Sequence, residues 1–519
     1  MTNKATPGSR PRSVKSPSVP DKVAIRQLRT GVRGLDEILG GGVPEYSFNI
    51  VAGAPGSGKT TLAHQIVFAN ATDQSPALYF TVLGEPALKM LRYQQQYTFF
   101  DGSKLNRSIR FINLSEVVVN LDLNAVLAEI TKQVEAANPG VVVVDSFRTV
   151  LRKATREGAA EMELQSFIQQ LAMMLTSMRA TTFLIGEYAE GEMRDNPVFT
   201  VADGLLFLSQ VVDRNSVVRK LQVIKLRGQA SVPGLHTIRI GDYGLQAFSR
   251  TLGLMDKKSA PRGGRRLSTG ILDLDKLLGG GIPEGDSVLL AGPSGTGKSV
   301  LATQFIAAGL RQGEAGIIAI FEERPEGYVK RAASLGLDLK GPQRSGKLKI
   351  LYLRPLDLSV DETMQEILDA VRQTNAKRLV IDSLAGFEMA LAPGFRADFR
   401  ESLYRMIGAL TGSGVTIVST VEIEDSFTSF QFSHYAISFL TDDLIRLRYV
   451  EIDGQLRKIL AVVKMRGGNH SKDIREYVIA RRGVVVISPR GTDYTNLTDG
   501  LPNRVGARKE PAPEPKALK

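Results

Sequence analysis

The sequence predicts an α/β protein made of two copies of one domain, each a mostly parallel sheet flanked by helices and ending in a β-hairpin. Three observations predict it. The stretch "TGVRGLDEILGGGVPEYSFNIVAGAPGSGKTTLAHQI" from Thr30 is echoed by "TGILDLDKLLGGGIPEGDSVLLAGPSGTGKSVLATQF" from Thr269. In both copies, short runs rich in β-branched residues alternate with helix-length amphipathic stretches, the pattern of a sheet buried on both faces. Near each carboxy end the pattern changes to alternating strands, and in the second copy these flank Asp453-Gly454, a favoured hairpin turn.

Residues 1–20, rich in Pro, Ser, Thr and basic side chains, read as a disordered tail. The first copy runs over 21–256, a basic Gly-containing linker over 257–266, the second copy over 267–488, and a polar tail rich in Pro and charge over 489–519. The candidate strands are "YSFNIVAG", "ALYFTV", "VVVVD" and "TTFLIGE", then "SVLLAG", "GIIAIFE", "RLVID" and "VTIVSTVE". A chain of 519 residues exceeds what one core serves, and the repeat divides it in two.

Each copy carries a complete phosphate-binding loop, "GAPGSGKT" at Gly53–Thr60 and "GPSGTGKS" at Gly292–Ser299, with the two lysines 239 residues apart. Backbone N–H groups freed by glycine and aligned at a helix amino terminus can surround phosphate oxygens. Gly53, Gly56, Ser57 and Gly58 would do so in the first copy, and Gly292, Gly295, Thr296 and Gly297 in the second. Lys59 and Lys298 would reach the β- and γ-phosphates, and the hydroxyls of Thr60 and Ser299 would hold Mg²⁺. Thr61 and Val300 follow at the start of each helix. ATP and Mg²⁺ are therefore the expected cofactors.

The strands "VVVVD" and "RLVID" end at Asp145 and Asp382. A carboxylate at the end of a neighbouring buried strand is what the water shell of Mg²⁺ needs. The copies differ between these motifs. The second has "IAIFEERPEGY", which sets Glu322 and Glu323 directly after a strand, where a carboxylate can polarise an attacking water or hydroxyl. The first has "LYFTVLGEPALKM", with Leu83 and Gly84 at the matching place and Glu85 one step on. The first site should bind nucleotide. Whether it hydrolyses depends on Glu85 substituting through a one-residue shift, which the sequence leaves open.

After the terminal strands each copy carries a Lys-x-Arg-Gly motif, "KLRG" (Lys225, Leu226, Arg227) and "KMRG" (Lys464, Met465, Arg466), again 239 residues apart. Two cations on a loop suit phosphate, including phosphate bound by a neighbouring subunit.

The net charge of +12 concentrates outside the two copies: residues 1–30 carry +6, 257–266 carry +5 and 503–519 carry +3. The folded copies are thus near neutrality, and no basic run interleaved with aromatics suggests a single-strand platform. Nucleic acid is not expected as a partner. The absence of cysteine excludes disulfides, thiolate metal sites and thiol catalysis. No apolar run reaches the ~18–20 residues of a membrane span, and the amino terminus shows no secretory pattern. With ATP chemistry, this reads as a cytoplasmic protein.

Two P-loops, "GLDEILGGG" and "DLDKLLGGG", "FEE", "IDSL" and "KMRGGNHSKDIREYVI" together resemble the KaiC family of tandem RecA-like ATPases, over about residues 21–488. The resemblance implies a homohexameric double ring with ATP at the subunit interfaces. It also implies an ATPase first tier, and a second tier that acts as a serine/threonine autokinase and phosphatase. By motif, Glu322 and Glu323 would serve metal binding and general base. Lys464, Met465, Arg466 and His470 would reach a neighbour's nucleotide, as would Lys225, Leu226, Arg227 and Asp242 in the first tier.

Three departures qualify this. The first copy lacks the Glu pair. Alignment on "TDDLIRLRYVEI" puts Ser438 at the family's acceptor serine, but Phe439 replaces the adjacent acceptor threonine. The tail after Pro489 does not resemble the segment that binds the activator KaiA, so KaiA is not expected, whereas a KaiB-like or other signalling partner is compatible. The leading expectation is an oligomeric ATPase with serine autokinase activity, in signalling or timing. Two alternatives stay open: a DNA-dependent RecA- or DnaB-type motor, and a nucleotide-gated scaffold with little turnover.

Overall fold

Along Phe48–Gly53 (β1) every residue is buried, and the side chains alternate between two cores. Phe48, Ile50 and Ala52 join a cluster with Val126, Ile130, Phe167 and Ile168 from the helices Leu123–Ala137 and Glu161–Ser177. Val51 joins the opposite cluster with Leu62, Ala63 and Ile66 of α1 (Lys59–Asn70). Successive strand residues face opposite sides, so a strand covered on both reads in sequence as one unbroken apolar run. In the second copy Ser287–Gly292 is split the same way, Leu289 and Ala291 against Val288 and Leu290.

The computed structural model describes residues 24–82, 87–119, 123–150, 161–193, 198–213, 216–250, 264–353, 359–391, 399–423, 441–452, 454–466, 468–487, 494–495 and 503–504. The expectations placed on Leu83, Gly84, Glu85, Asp453, Ser438 and Phe439, and on most of the tails and linker, lie outside these residues.

After β1 the first sheet contains β2 (Ala77–Thr81), β3 (Ile109–Asn113), β4 (Val141–Asp145), β5 (Thr181–Glu187), β6 (Gly204–Asp213), β7 (Ser216–Leu226), β8 (Leu235–Gly241) and β9 (Gly244–Phe248). Their spatial order is β3-β2-β4-β5-β1-β6-β7-β8-β9. Neighbours from β3 through β6 are parallel, and those from β6 through β9 antiparallel.

The second sheet has β10 (Ser287–Gly292), β11 (Gly316–Ile320), β12 (Leu348–Tyr352), β13 (Arg378–Asp382), β14 (Thr416–Glu422), β15 (Asp443–Ile452), β16 (Gln455–Lys464), β17 (Arg475–Ala480) and β18 (Gly483–Val486). Its order, β12-β11-β13-β14-β10-β15-β16-β17-β18, repeats the first strand for strand. Even the irregularity recurs, between Leu205 and Leu206 in β6 and between Leu444 and Ile445 in β15. The antiparallel extension is larger than one hairpin, because two short strands, β8 with β9 and β17 with β18, continue it.

The parallel strands end on one side of each sheet. There Gly53 lies opposite Glu187, and Asp145 opposite Ile185. That edge, outside the carboxy ends of the strands, is where open α/β sheets bind ligands. The first domain's antiparallel extension also meets the second domain. Arg239 pairs with Glu362 at 2.8 Å, while Thr237 and Arg405 both donate to Asp361, at 3.2 and 2.9 Å.

Candidate nucleotide sites

In the first domain, β1 stops at Gly53 and α1 begins at Lys59, so the loop between them faces the ends of β4 and β5. Gly58 enters the helix with φ 104°, a conformation L side chains rarely adopt. A Cβ there would come within 2.8 Å of Ile240 Cδ1. The matching Gly297 has φ 95° and lies equally tight against Ile479. The antiparallel extension therefore supports both loops from one side.

Lys59 folds back and donates to Ala54 O at 2.8 Å. Burial pushes its ammonium below the usual lysine range, while Glu187 and then Asp145 oppose that shift. Thr60 donates to Asp145 Oδ2 at 2.9 Å, which brings together the two metal-binding residues expected from the sequence. Asp145 is raised above the ordinary carboxylate range by burial, against hydrogen bonds from Tyr79 and Thr60. A cavity of about 340 Å³ opens here, lined by Gly56, Gly58, Lys59, Thr60, Thr61, Asp145 and Glu187 among others. Ser57 Oγ is buried beside this loop without a hydrogen-bond partner among the described residues.

The second domain reproduces the frame with different contacts. Lys298 donates to Gly292 O and Pro293 O, both at 2.8 Å, and burial lowers its pKa as well. Thr296 is held by its own hydroxyl on Pro293 O and by Tyr477 donating to its carbonyl. Ser299 and Val300 form the first turn of α2 (Lys298–Arg311). Asp382 accepts from Thr420 Oγ1 at 2.6 Å.

The two glutamates after β11 diverge. Glu322 Oε1 accepts from Ser383 Oγ at 2.7 Å, directly after Asp382, and its charge acts on Lys298. Glu323 instead pairs with Arg331 at 2.8 Å. Glu322 is thus the carboxylate held at the site.

The basic motifs do not reach the nucleotide loop of their own domain. Leu226 pairs with Gly204, which pairs with Asn49, four residues before Gly53. At ~3.3 Å per strand residue this is roughly 13 Å away along the sheet. Lys225 donates to Thr200 O at 3.2 Å, and Arg227 pairs with Asp203 at 3.2 Å. In the second copy Lys464 donates to Thr441 O at 2.5 Å and exposed Arg466 lies 3.8 Å from Asp442. Met465 is packed in the core, and His470 is half-buried in the loop beyond. Asp242 sits exposed in the turn after β8, where its carbonyl accepts from Thr98 N at 2.9 Å.

Sequence reasoning missed Glu187 and Glu422. Both end the strand beside the P-loop strand, opposite Gly53 and Gly292, and each is the foremost carboxylate acting on its lysine. The signal was present, since "TTFLIGE" and "VTIVSTVE" both finish in Glu. Tyr79 was also missed.

The family described as KaiC ATPase matches this chain twice, over residues 28–251 and 267–491. The chain belongs to the KaiC ATPase family. It is 28% identical over 489 residues to the circadian clock oscillator protein KaiC of Picosynechococcus sp., covering 93% of both chains. The protein of the same name from Rippkaea orientalis is 29% identical over 492 residues, covering 93% of this chain and 92% of its own. That of Thermostichus vulcanus is 26% identical over 503 residues, covering 95% of each. The doubled match coincides with the doubled sheet, so both halves of this KaiC-family chain carry the ATPase fold. Among its described residues no helix is long and apolar enough to cross a membrane.

Proposed function

We propose that this KaiC-family ATPase hydrolyses ATP with Mg²⁺ and transfers phosphate to its own Ser438 in the second domain. It would act as a double ring of six copies in cytoplasmic signalling or timing. The observation that carries the reading is the Glu322–Ser383 hydrogen bond of 2.7 Å beside Asp382, which fixes one carboxylate where the second loop opens. Glu322 is the general base, taking the proton of the attacking water or of the Ser438 hydroxyl.

Hydroxyl and carboxylate oxygens are the hard donors that suit Mg²⁺. Thr60 with Asp145, and Ser299 with Asp382 and Glu322, would hold the ion, which when bound neutralises phosphate charge. Lys59 and Lys298 are positioned by the loop carbonyls they now contact and are free to exchange these for phosphate oxygens. The exposed Arg466 and Arg227 guanidiniums, at the far end of each sheet, suit a neighbouring subunit's nucleotide better than their own. The timing role rests on the names of the relatives, and a KaiB-like partner on the same likeness.

Incubation with γ-labelled ATP and Mg²⁺ tests this by following phosphate release and protein-bound label together. The expected result is both activities, with intact mass showing one added phosphate per chain, absent in Ser438→Ala. Phe439 has no hydroxyl, so a second phosphate at that pair is excluded. Neither release nor label would leave a nucleotide-gated scaffold. Stimulation beyond tenfold by single-stranded DNA would favour a motor.

A further inference from the structure

We propose that Glu187 is the carboxylate that takes the proton of the attacking water in the first domain, where the second uses Glu322. This deepens the ATPase reading and rests on it. Three observations lead to it. Glu187 lines the cavity of about 340 Å³ together with Lys59, Thr60 and Asp145, and it is exposed toward that space. Its place is fixed by the backbone: it ends β5, opposite Gly53, and the next residue, Tyr188, donates its N–H to Gly53 O at 3.3 Å. Arg148 closes the other side, donating to the Glu187 carbonyl and pairing with Glu192 at 2.7 Å.

A carboxylate on the wall of a triphosphate cavity repels the ligand and weakens binding, a cost that a role in the chemical step offsets. Of the carboxylates around Lys59, Asp145 is occupied by Thr60 and Tyr79. Among the described residues, Glu187 is the carboxylate that meets the cavity without such a tie to Thr60. In the step itself, the water oxygen bonds to the γ-phosphorus as the bond from that phosphorus to the bridging oxygen breaks. ADP departs with the electron pair, and the water proton passes to the Glu187 carboxylate and then to solvent. In the second domain Glu422 holds the matching position, but Glu322 shares the site, so Glu422 carries less of the burden there.

The test uses the full chain in the Glu322→Gln background, which silences the second site's base. Phosphate release remaining in that protein should fall at least tenfold on adding Glu187→Gln, and Glu187→Asp should retain more than Glu187→Gln. Equilibrium binding supplies a second readout. Removing the repelling charge should tighten ATP relative to ADP by about threefold or more, whereas structural damage would weaken both alike. Unchanged release, a loss found only with Glu85→Gln, or equal shifts for ATP and ADP would each overturn the assignment. So would a Glu322→Gln background with no release beside an active wild type, which leaves the ATPase reading intact. An inactive wild type would overturn both.

Discussion

Tyr79 donates its hydroxyl hydrogen to Asp145 Oδ2 at 2.8 Å, the same oxygen that accepts from Thr60 at 2.9 Å. The matching strand position in the second domain is Ile318, so the bond exists in one copy only. Behind Tyr79 its ring stacks on His64 at 4.6 Å. Burial lowers that imidazole to about 4, so it packs as a neutral ring. The proposed metal-binding carboxylate of the first site is therefore anchored by a phenol on the neighbouring strand, whereas Asp382 in the second accepts from Thr420.

Tyr79→Phe should raise the Asp145 pKa further, because it removes a hydrogen bond to the charged form while the burial stays. Hydrogen bonds to charged groups contribute about 1.5–3 kcal/mol, and one pKa unit corresponds to about 1.4 kcal/mol. Mg²⁺-dependent nucleotide affinity at the first site should then fail at a pH roughly one unit higher than in the parent. Titrating binding against pH in Lys298→Ala protein checks this, and superimposed curves would reduce Tyr79 to packing.

The divergence of the paired glutamates predicts unequal mutants. Glu322→Gln should lower second-site turnover by about 10²–10⁴-fold, the usual cost of losing a placed base. Glu323→Gln removes a partly exposed pair with Arg331 and should cost less than tenfold. Single-turnover phosphate release on the two single variants distinguishes them; equal losses would make the pair a unit.

Because the basic motifs lie at the far end of their own sheets, an active site completed by a second copy is expected. Arg466→Ala should lose turnover yet keep nucleotide, and Lys298→Ala should lose both at the second site. Mixing the two should partly restore activity, since some interfaces would join two intact halves. Light scattering should show about six copies with ATP. A fully active monomer would exclude the arrangement.

Asp443 is fully buried at the start of β15, with Asp286 and Asp442 near it and the Arg466 backbone, Arg266 and the Lys464 ammonium opposing. Burial first, and then those two carboxylates, raise it to about 7. An acid raised in the folded state keeps its proton longer than the unfolded chain, so unfolding free energy falls as pH climbs from about 4 to about 7. Asp443→Asn should thus be close to neutral below that window and stabilising by up to about 4 kcal/mol at higher pH, roughly three pKa units at about 1.4 kcal/mol each. Urea unfolding at about pH 5 and pH 8 measures it; equal shifts at both would place the titration elsewhere.

Much of the fold was legible because its signals are local or repeated. The P-loops combine an apolar strand, glycines and a helix start within a dozen residues, and a second copy removes the chance of coincidence. Asp145 and Asp382 were legible as the ends of short apolar strands, since β4 and β13 are covered on both faces. The extent of the antiparallel extension was not legible, because β17 and β18 are short and β17 lies mostly at the surface.

By itself the sequence determined the two-copy architecture, the nucleotide loops and the chemical types at each position, all of which follow from spacing along one strand–loop–helix unit. Tertiary structure decided which side chains meet. Parallel strands that are neighbours in the sheet are distant in the chain, so only the register of β5 on β1 reveals that Glu187 ends beside Gly53. Likewise Glu322 and Glu323 are adjacent in sequence and equal in charge. Ser383, brought near by β13 beside β11, and Arg331, one helix away, send them to different tasks. Strand register and side-chain pairing are properties of the packed sheet, and spacing within a single segment does not encode them.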